Sequence, residues 1–421
     1  MPSKQGSSDL EASAHDEKRA EEQHHGIKDR ISHFTWSNFA CTMSTGAIAV
    51  VLSQQPFQFD GLNVIGKAFF ILDLVLLVAF MAAMVTRFIL QPWKVTKSLH
   101  YPKEALFFGS FWYCTLFVAE RIPVSTAMPA LVFPVYPSLV IGPLAASILP
   151  SQPQKASLPI FIGGVLFQGL GWVVAMFMYS VYIIRLLAND LPPPSSRPGM
   201  FISVGPAGYT SAALVALGNH APHVVPQNFL NLPNFDVGAA IKVVGVMSGI
   251  FVWSVAFWFF ALTLVTILHG AKKMSFTLSW WAFIFPNAGL TLATIQIGRV
   301  LDSKGINAVS SAMTVLLIMA WLFTAGSYIV AVVRKQVYWT GKDEDHGMDD
   351  NGQACVEVPR HKRLRDTGLK RKSARDAGFG TAGTDFSTSL AFRCRPTVAR
   401  TTIPESPAIW YTLQGQSIFA S

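Results

Sequence analysis

The chain has 421 residues, of which 51% are hydrophobic and only 14% are charged. Soluble domains carry roughly 25% charged residues, so this composition excludes a wholly soluble globular protein. The formal net charge of +9 would suit nucleic acid, but membrane proteins collect Lys and Arg on their cytoplasmic loops, and we favour that cause.

The polar residues concentrate at the two ends of the chain. Residues 1–32 and 337–421 are rich in charged and small polar side chains, whereas residues 33–336 contain one apolar run after another. The sequence therefore predicts an all-α polytopic membrane domain between a disordered N-terminal tail and a disordered C-terminal tail.

Nine apolar segments follow one another along the membrane domain, and a membrane span needs about 20 such residues. The third, at 105–119, is short for a span. The segments cover residues 37–53, 63–91, 105–119, 129–149, 159–188, 201–219, 238–268, 278–298 and 309–334.

Two kinds of segment alternate. Four are long and lack internal proline, and those between them are interrupted by Gly, Pro and hydroxyl residues. Interrupted helices free backbone groups that lipid cannot satisfy, so they are tolerated where they pack in protein or line a cavity. The alternation thus predicts an inner ring of broken helices and an outer ring of plain ones. The alternative is that Gly and Pro are simply more frequent in membrane helices.

The interruptions supply the candidate pore residues. Helix breaks expose N–H groups and half-helix dipoles, which stabilise an anion without a buried fixed charge. Phe285 stands just before one break, where its ring either closes the pore or packs between helices. The other candidates are Ser44, Thr45, Gly46, Gly205, Pro206, Gly208, Tyr209, Pro286, Asn287 and Gly289.

Two basic residues lie near the ends of spans. Lys242 and Arg299 either extend to the membrane interface or attract anions to the outer mouth of a pore.

Loop charges predict the orientation of the domain. The basic loops should be cytoplasmic, together with both termini, because Lys and Arg orient insertion. The loops at 54–63 and 219–236 contain neither residue and should lie outside. The basic residues are Arg87, Lys94, Lys97, Lys103, Arg185, Arg197, Lys272, Lys273, Arg334 and Lys335.

The same rule shows that the number of predicted spans between two basic loops is odd. Two cytoplasmic loops must be separated by an even number of spans, yet only three segments lie between Lys103 and Arg185. An apolar run stops abruptly at Glu120 and Arg121. Either a piece of about 40 residues, enough for one span and its loops, is missing there, or segment 105–119 does not cross.

No catalytic, cofactor or metal motif is evident. The four cysteines lack metal-ligand spacing, and His220 and His223 are assigned to a loop at non-helical spacing. Since no phosphate-binding loop or dinucleotide fingerprint is present either, we expect neither an enzyme nor an ATP-driven pump.

Four stretches together resemble the tellurite-resistance/dicarboxylate transporter family. They are FTWSNFACTMSTGAI (34–48), FPVYPSLVIGPLAA (133–146), RPGMFISVGPAGYTSAALVALG (197–218) and WWAFIFPNAGLTLATIQIGR (280–299). The family includes fungal malic acid transport proteins, sulfite efflux pumps, bacterial TehA and plant slow anion channels. SVGPAGYT (203–210) and FPNAGLTLATIQIG (285–298) resemble the fungal malic acid transport proteins most.

The resemblance implies ten helices in five hairpins, with the kinked odd-numbered helices around a central pore. It also implies that Phe285 is the pore gate and that the chain forms a homotrimer. The implied function is transport of a C4-dicarboxylate such as malate across the plasma membrane.

Two alternatives stay open. One is a sulfite or other small-anion efflux pump or channel, and the other is a membrane receptor or sensor. The broken inner helices favour transport, because a receptor need not open a continuous path.

Overall fold

The computed structural model describes residues 31, 34–92, 128–232 and 234–334. All of them belong to a compact unit that extends from Met1 to Glu344. Segment 105–119 and the Glu120–Arg121 pair lie outside the described residues, as do residues 1–30 and 335–421, where the two tails are predicted.

Eight α-helices and no strand occur in these ranges. Seven helical stretches, built on α2 to α8 with their adjoining 3-10 turns, are long and apolar enough to cross a membrane. The predicted all-α polytopic membrane fold is confirmed. The helices are α1 (Phe39–Ser53), α2 (Leu62–Leu90), α3 (Tyr136–Ile148), α4 (Gln154–Ala188), α5 (Val204–Val224), α6 (Val237–Gly270), α7 (Phe285–Val300) and α8 (Lys304–Val333).

Each odd-numbered helix is preceded by a 3-10 segment, at most one residue away. These segments are Trp36–Asn38, Pro129–Val135, Pro194–Ser203 and Leu278–Phe283. Proline stands in the first turn of two of them, and Pro286 stands in the first turn of α7. Proline there removes no helical hydrogen bond, because the first N–H groups of a helix have no partner within it. The break therefore falls where the 3-10 segment meets the α-helix.

The odd-numbered helices form an inner ring and the even-numbered ones an outer ring. In the most apolar part of the α5 and α7 spans, 94% and 83% of residues are buried, against 6% for α2 and 17% for α8. Each inner helix packs on the outer helix that follows it, so α1–α2, α3–α4, α5–α6 and α7–α8 are hairpins. The alternation in the sequence thus corresponds to two layers.

Helices α5 and α7 approach so closely that their backbones touch. A Cβ atom on Gly208 would lie 2.5 Å from the amide nitrogen of Leu290 and 2.7 Å from the carbonyl carbon of Gly289. A Cβ atom on Gly289 would lie 2.9 Å from the ring of Tyr209. Only glycine permits this separation between the two helices.

The assignment of His220 and His223 to a loop is wrong. Both lie in the last two turns of α5, which continues through Pro222 to Val224. Packing holds this end of the helix, since a Cβ atom on Gly238 of α6 would lie 2.8 Å from the Cα atom of Pro222. Tertiary contact here outweighs the local effect of proline.

Helix α4 begins earlier than the sequence indicated and ends at Ala188, where the predicted segment also ends. It begins at Gln154, so Pro159 lies inside a helix that was expected to lack internal proline. Arg185, assigned to a loop, lies in the last turn of α4 and is buried. Arg197 is also buried, in a 3-10 segment, and donates hydrogen bonds to the carbonyl oxygens of Pro192 and Thr266, both at 3.0 Å.

We expect Gly208→Ala to destabilise the protein by separating α5 and α7. Overpacking of this kind costs about 1–3 kcal/mol, which a lower thermal unfolding midpoint of the purified protein in detergent would report. Gly163→Ala is the matched control, because a Cβ atom there meets nothing within 4 Å. An unchanged midpoint for Gly208→Ala would contradict the close contact.

Candidate functional site

A cavity of about 850 Å³ lies among the described inner helices α1, α3, α5 and α7. Each of α1, α3, α5 and α7 contributes part of its wall, so the cavity occupies the centre of the inner ring. It extends from Tyr209 and Phe285 to Arg299 in the last turn of α7, where the Arg299 side chain is exposed.

One face of each inner helix lines the cavity. On α7 the lining residues Phe285, Leu292, Gln296 and Arg299 follow at intervals of seven, four and three, which keeps them on one side of a helix. The same spacing recurs on the other three helices. The examples are Ala47, Val50 and Gln54 on α1, Pro137, Val140, Leu144 and Ser147 on α3, and Tyr209, Ala212, Ala216 and His220 on α5.

An aromatic cluster closes the inner end of the cavity. The ring of Phe285 lies 5.1 Å from that of Tyr136 and 5.3 Å from that of Tyr209, measured between centroids. The Tyr209 hydroxyl donates a hydrogen bond of 2.9 Å to the carbonyl oxygen of Phe285, and the Tyr136 hydroxyl donates one of 2.7 Å to that of Ile202. Contacts from two other helices thus hold the Phe285 ring and backbone in place.

The open end of the cavity carries a cation. Arg299 donates through Nη2 to the carbonyl oxygens of Gln54, at 2.7 Å, and Gln55, at 3.3 Å, where α1 ends. Carbonyl groups at a helix C-terminus carry partial negative charge and stabilise a guanidinium. No ion pair of Arg299 with a carboxylate occurs among the described residues, so its positive charge is not neutralised.

Amide side chains tie the inner helices together at this end. Gln296 of α7 donates to the side-chain oxygen of Gln54 at 2.6 Å, and Gln54 donates to Ser147 of α3 at 3.3 Å. The other wall residues are mostly apolar, and none of the described lining residues is acidic. The cavity therefore combines a cationic, amide-rich mouth with apolar walls, an environment that admits an anion and repels no negative charge.

Three of the predicted site residues meet in this cavity. Tyr209 and Phe285 form its inner end and Arg299 its mouth. Lys242 lies elsewhere, half-buried on the outer helix α6, and is not part of the described cavity wall.

The predicted residues of α1 face other helices instead of the cavity. Ser44 donates to the carbonyl oxygen of Trp281 at 3.0 Å, and Thr45 accepts from the indole nitrogen of Trp321 at 3.0 Å. Gly46 packs against Asp73 of α2, whose carboxylate oxygen would lie 2.8 Å from a Cβ atom there.

The remaining candidates are buried in α5 and α7 and do not line the cavity. Gly205 leaves room for the hydroxyl of Tyr136, and Gly208 meets Gly289 at the helix contact described above. Asn287 donates to the carbonyl oxygen of Phe283 at 2.9 Å. Pro206 and Pro286 are also buried in their helices. A pore-lining role for this group stays a prediction.

Helical spacing in the sequence indicates further wall residues that are not among the predicted site residues. Starting from Phe285 or Tyr209 and following one helical face leads to Leu292 and Gln296 on α7, and to Ala212 and His220 on α5.

The amino-acid sequence matches a known protein family over most of its length. The profile of the SLAC1 family, described as voltage-dependent anion channel, matches residues 33–120 and 112–329. This chain belongs to that family. The two matched stretches overlap at residues 112–120, and the overlap ends at Glu120.

Several transport proteins are similar to this chain over most of its length. The malic acid transport protein of Schizosaccharomyces pombe is 31% identical over 369 residues, which is 76% of this chain and 84% of that protein. A putative malic acid transport protein of the same yeast is 28% identical over 398 residues, covering 83% and 91%. The sulfite efflux pump SSU1 of Trichophyton rubrum is 23% identical over 356 residues, covering 73% and 93%.

The alignments with the two yeast proteins are longer than the part of this chain that they cover. Since 76% of 421 residues is about 320, the 369 aligned positions exceed it by about 49. The second alignment gives the same excess, because 83% of 421 is about 349 against 398 positions. About 49 positions of each relative therefore have no counterpart in this chain.

Two neighbouring residues of α1 test the cavity independently of transport. Val50 lines it and is 43% exposed, whereas Val51 faces the core and is 0% exposed. In a cysteine-free background, we expect Val50→Cys to react with a hydrophilic methanethiosulfonate reagent in permeabilised membranes and Val51→Cys to stay unlabelled. Equal labelling of both positions would contradict the cavity.

Proposed function

We propose that this protein transports organic anions, in particular C4-dicarboxylates such as malate, across the plasma membrane along a path through the described cavity. The observation that carries the proposal is the cavity itself, which combines a cationic mouth, a wall without acidic residues among the described ones, and an aromatic inner end. Membership in an anion channel family and similarity to malic acid transport proteins support the proposal.

The mouth suits transport because it attracts an anion without holding it tightly. Arg299 shares its donors with two backbone carbonyl groups, which reduces the free energy available for binding a carboxylate. Conduction requires favourable entry together with easy release. A cavity of about 850 Å³ has room for a small dicarboxylate with part of its hydration shell.

Sulfite is the second candidate substrate, and the similarity to sulfite efflux pumps is the observation that favours it. The identity to these pumps is 23%, below the 31% and 28% to the two yeast malic acid transport proteins. We therefore place dicarboxylates first. A receptor or sensor function receives no support from the family membership.

We also infer that the positions without a counterpart belong between residues 93 and 135. About 49 positions are enough for one membrane span and its loops, and the family match is divided into two stretches that overlap at 112–120. Loop charge independently favours one more span in this region, the other explanation being that segment 105–119 does not cross. With that span the domain would have ten helices, with both termini cytoplasmic, and we propose the homotrimer on family resemblance alone.

The experiment that tests the function is uptake of radiolabelled malate by cells that express the chain at their surface, with unlabelled sulfite as competitor. We expect malate flux above that of untransfected cells. Flux of sulfite without malate flux would support the second candidate. Absence of flux for either anion, with surface expression verified, would refute the transport proposal.

We expect Phe285→Ala to raise anion flux. Removing the ring opens the inner end of the cavity, and loss of a barrier of about 1.4 kcal/mol raises a rate tenfold. Phe283→Ala is the matched control, because the Phe283 ring packs against Phe201 and Trp280 and does not line the cavity. Flux that stays unchanged or falls in well-expressed Phe285→Ala would argue against the gate.

We expect Arg299→Gln to raise the KM for malate several-fold while Lys242→Gln leaves it unchanged, because only Arg299 lies at the cavity mouth. An exposed charge acts through an attraction of about 1 kcal/mol that salt screens. The KM of the parent protein should therefore rise with ionic strength more steeply than that of Arg299→Gln. Equal effects of the two substitutions would indicate a general surface-charge effect.

A further inference from the structure

A second cationic group is buried far from the cavity, at the opposite end of the domain. Arg185 stands in the last turn of α4 and is 6% exposed. Its Nε and Nη1 atoms are closed off from solvent and have no hydrogen-bond partner among the described residues. A buried charge without a partner is costly, so such a group calls for a ligand that the described residues do not supply.

A second donor without a partner lies beside Arg185. Tyr182 is three residues earlier on the same face of α4, and its hydroxyl lies within electrostatic range of the guanidinium. The side chain is 2% exposed, and its hydroxyl oxygen has no partner in the described part of the chain. The neighbouring Tyr179 differs, since its hydroxyl donates to the carbonyl oxygen of Ser203 at 2.6 Å.

Helix α6 supplies a third group at the same level. The rings of Tyr182 and Phe259 lie 6.3 Å apart, and α4 and α6 are parallel because one inner helix separates them in the chain. Arg185 follows Tyr182 by about one turn of α4, and Thr263 follows Phe259 by about one turn of α6. Thr263 is completely buried and its hydroxyl has no partner among the described residues, although Thr266 nearby donates to the carbonyl oxygen of Leu262 at 2.7 Å.

We propose that Arg185, Tyr182 and Thr263 form a binding site for a phosphate group at the ends of α4 and α6. All three groups can donate hydrogen bonds, and the guanidinium adds the positive charge that oxyanions require. No carboxylate pairs with Arg185 among the described residues, so an anionic ligand would complete the site. The site lies outside the described cavity, and the inference does not depend on the proposed transport function.

Two sources of phosphate fit the position. Arg185 is three residues from the end of a helix of 35 residues, which is longer than the hydrocarbon core of a bilayer. The loop charges place this end on the cytoplasmic side. The group is therefore at the level of lipid headgroups and within reach of soluble phosphate.

The test measures the thermal unfolding midpoint of the purified full chain in detergent while inorganic phosphate replaces chloride at constant ionic strength. A parallel series uses nanodiscs of phosphatidylcholine with and without phosphatidic acid. We expect phosphate, phosphatidic acid or both to raise the midpoint of the parent protein. A response to phosphatidic acid alone would identify a lipid headgroup as the source.

Two substitutions locate the effect. Arg185→Gln should weaken the apparent Kd by at least about tenfold, the change expected from loss of one charge-assisted hydrogen bond. Thr263→Val keeps the shape of the side chain and should weaken binding less. Lys272→Gln is the matched control, since Lys272 is an exposed basic residue at the same end of the domain. The proposal is overturned if neither ligand stabilises the parent protein, or if Arg185→Gln and Thr263→Val respond as the parent does.

Discussion

The direct contact between the backbones of α5 and α7 is the interaction on which the centre of the molecule depends. Gly208 and Gly289 leave no side chain between the two helices, so Tyr209 reaches the carbonyl oxygen of Phe285. Tyr136 completes the arrangement from α3, in the space that Gly205 leaves free. The position of the Phe285 ring, and with it the inner end of the cavity, therefore follows from three glycines that do not themselves line it.

The polar residues of α1 have a related role at the edges of the inner ring. Hydrophobic burial contributes little to helix association inside a bilayer, so close packing and hydrogen bonds between helices become important. Ser44 and Thr45 bond to Trp281 and Trp321, and Gln54 connects α1 with α3 and α7. These bonds determine the rotation of α1 and turn Val50 toward the cavity.

Much of the fold was predictable because membrane spans are local features of a sequence. The eight segments inside the described residues lie within a few residues of helices, and their alternation matches the two rings. The site was predictable only in part. Gly and Pro correctly marked the inner helices, but glycine is selected where backbones touch, so Gly46, Gly208 and Gly289 lie at helix contacts and the cavity wall belongs to the neighbouring faces. Arg185 shows the same limit, since its sequence position near a basic loop does not reveal that α4 buries it.

The sequence alone determined that this protein is a polytopic helical membrane protein, which segments are inner, and which family it resembles. Hydropathy, helix-breaking residues and loop charge each depend on short stretches of chain, and the bilayer imposes them without reference to the rest of the fold. Only the tertiary structure decided which face of each inner helix lines the cavity and that Arg299, not Lys242, stands at its mouth. It also decided that Nε and Nη1 of Arg185 are buried without a hydrogen-bond partner among the described residues. These facts depend on how each helix is rotated, and packing against helices distant in the sequence sets that rotation.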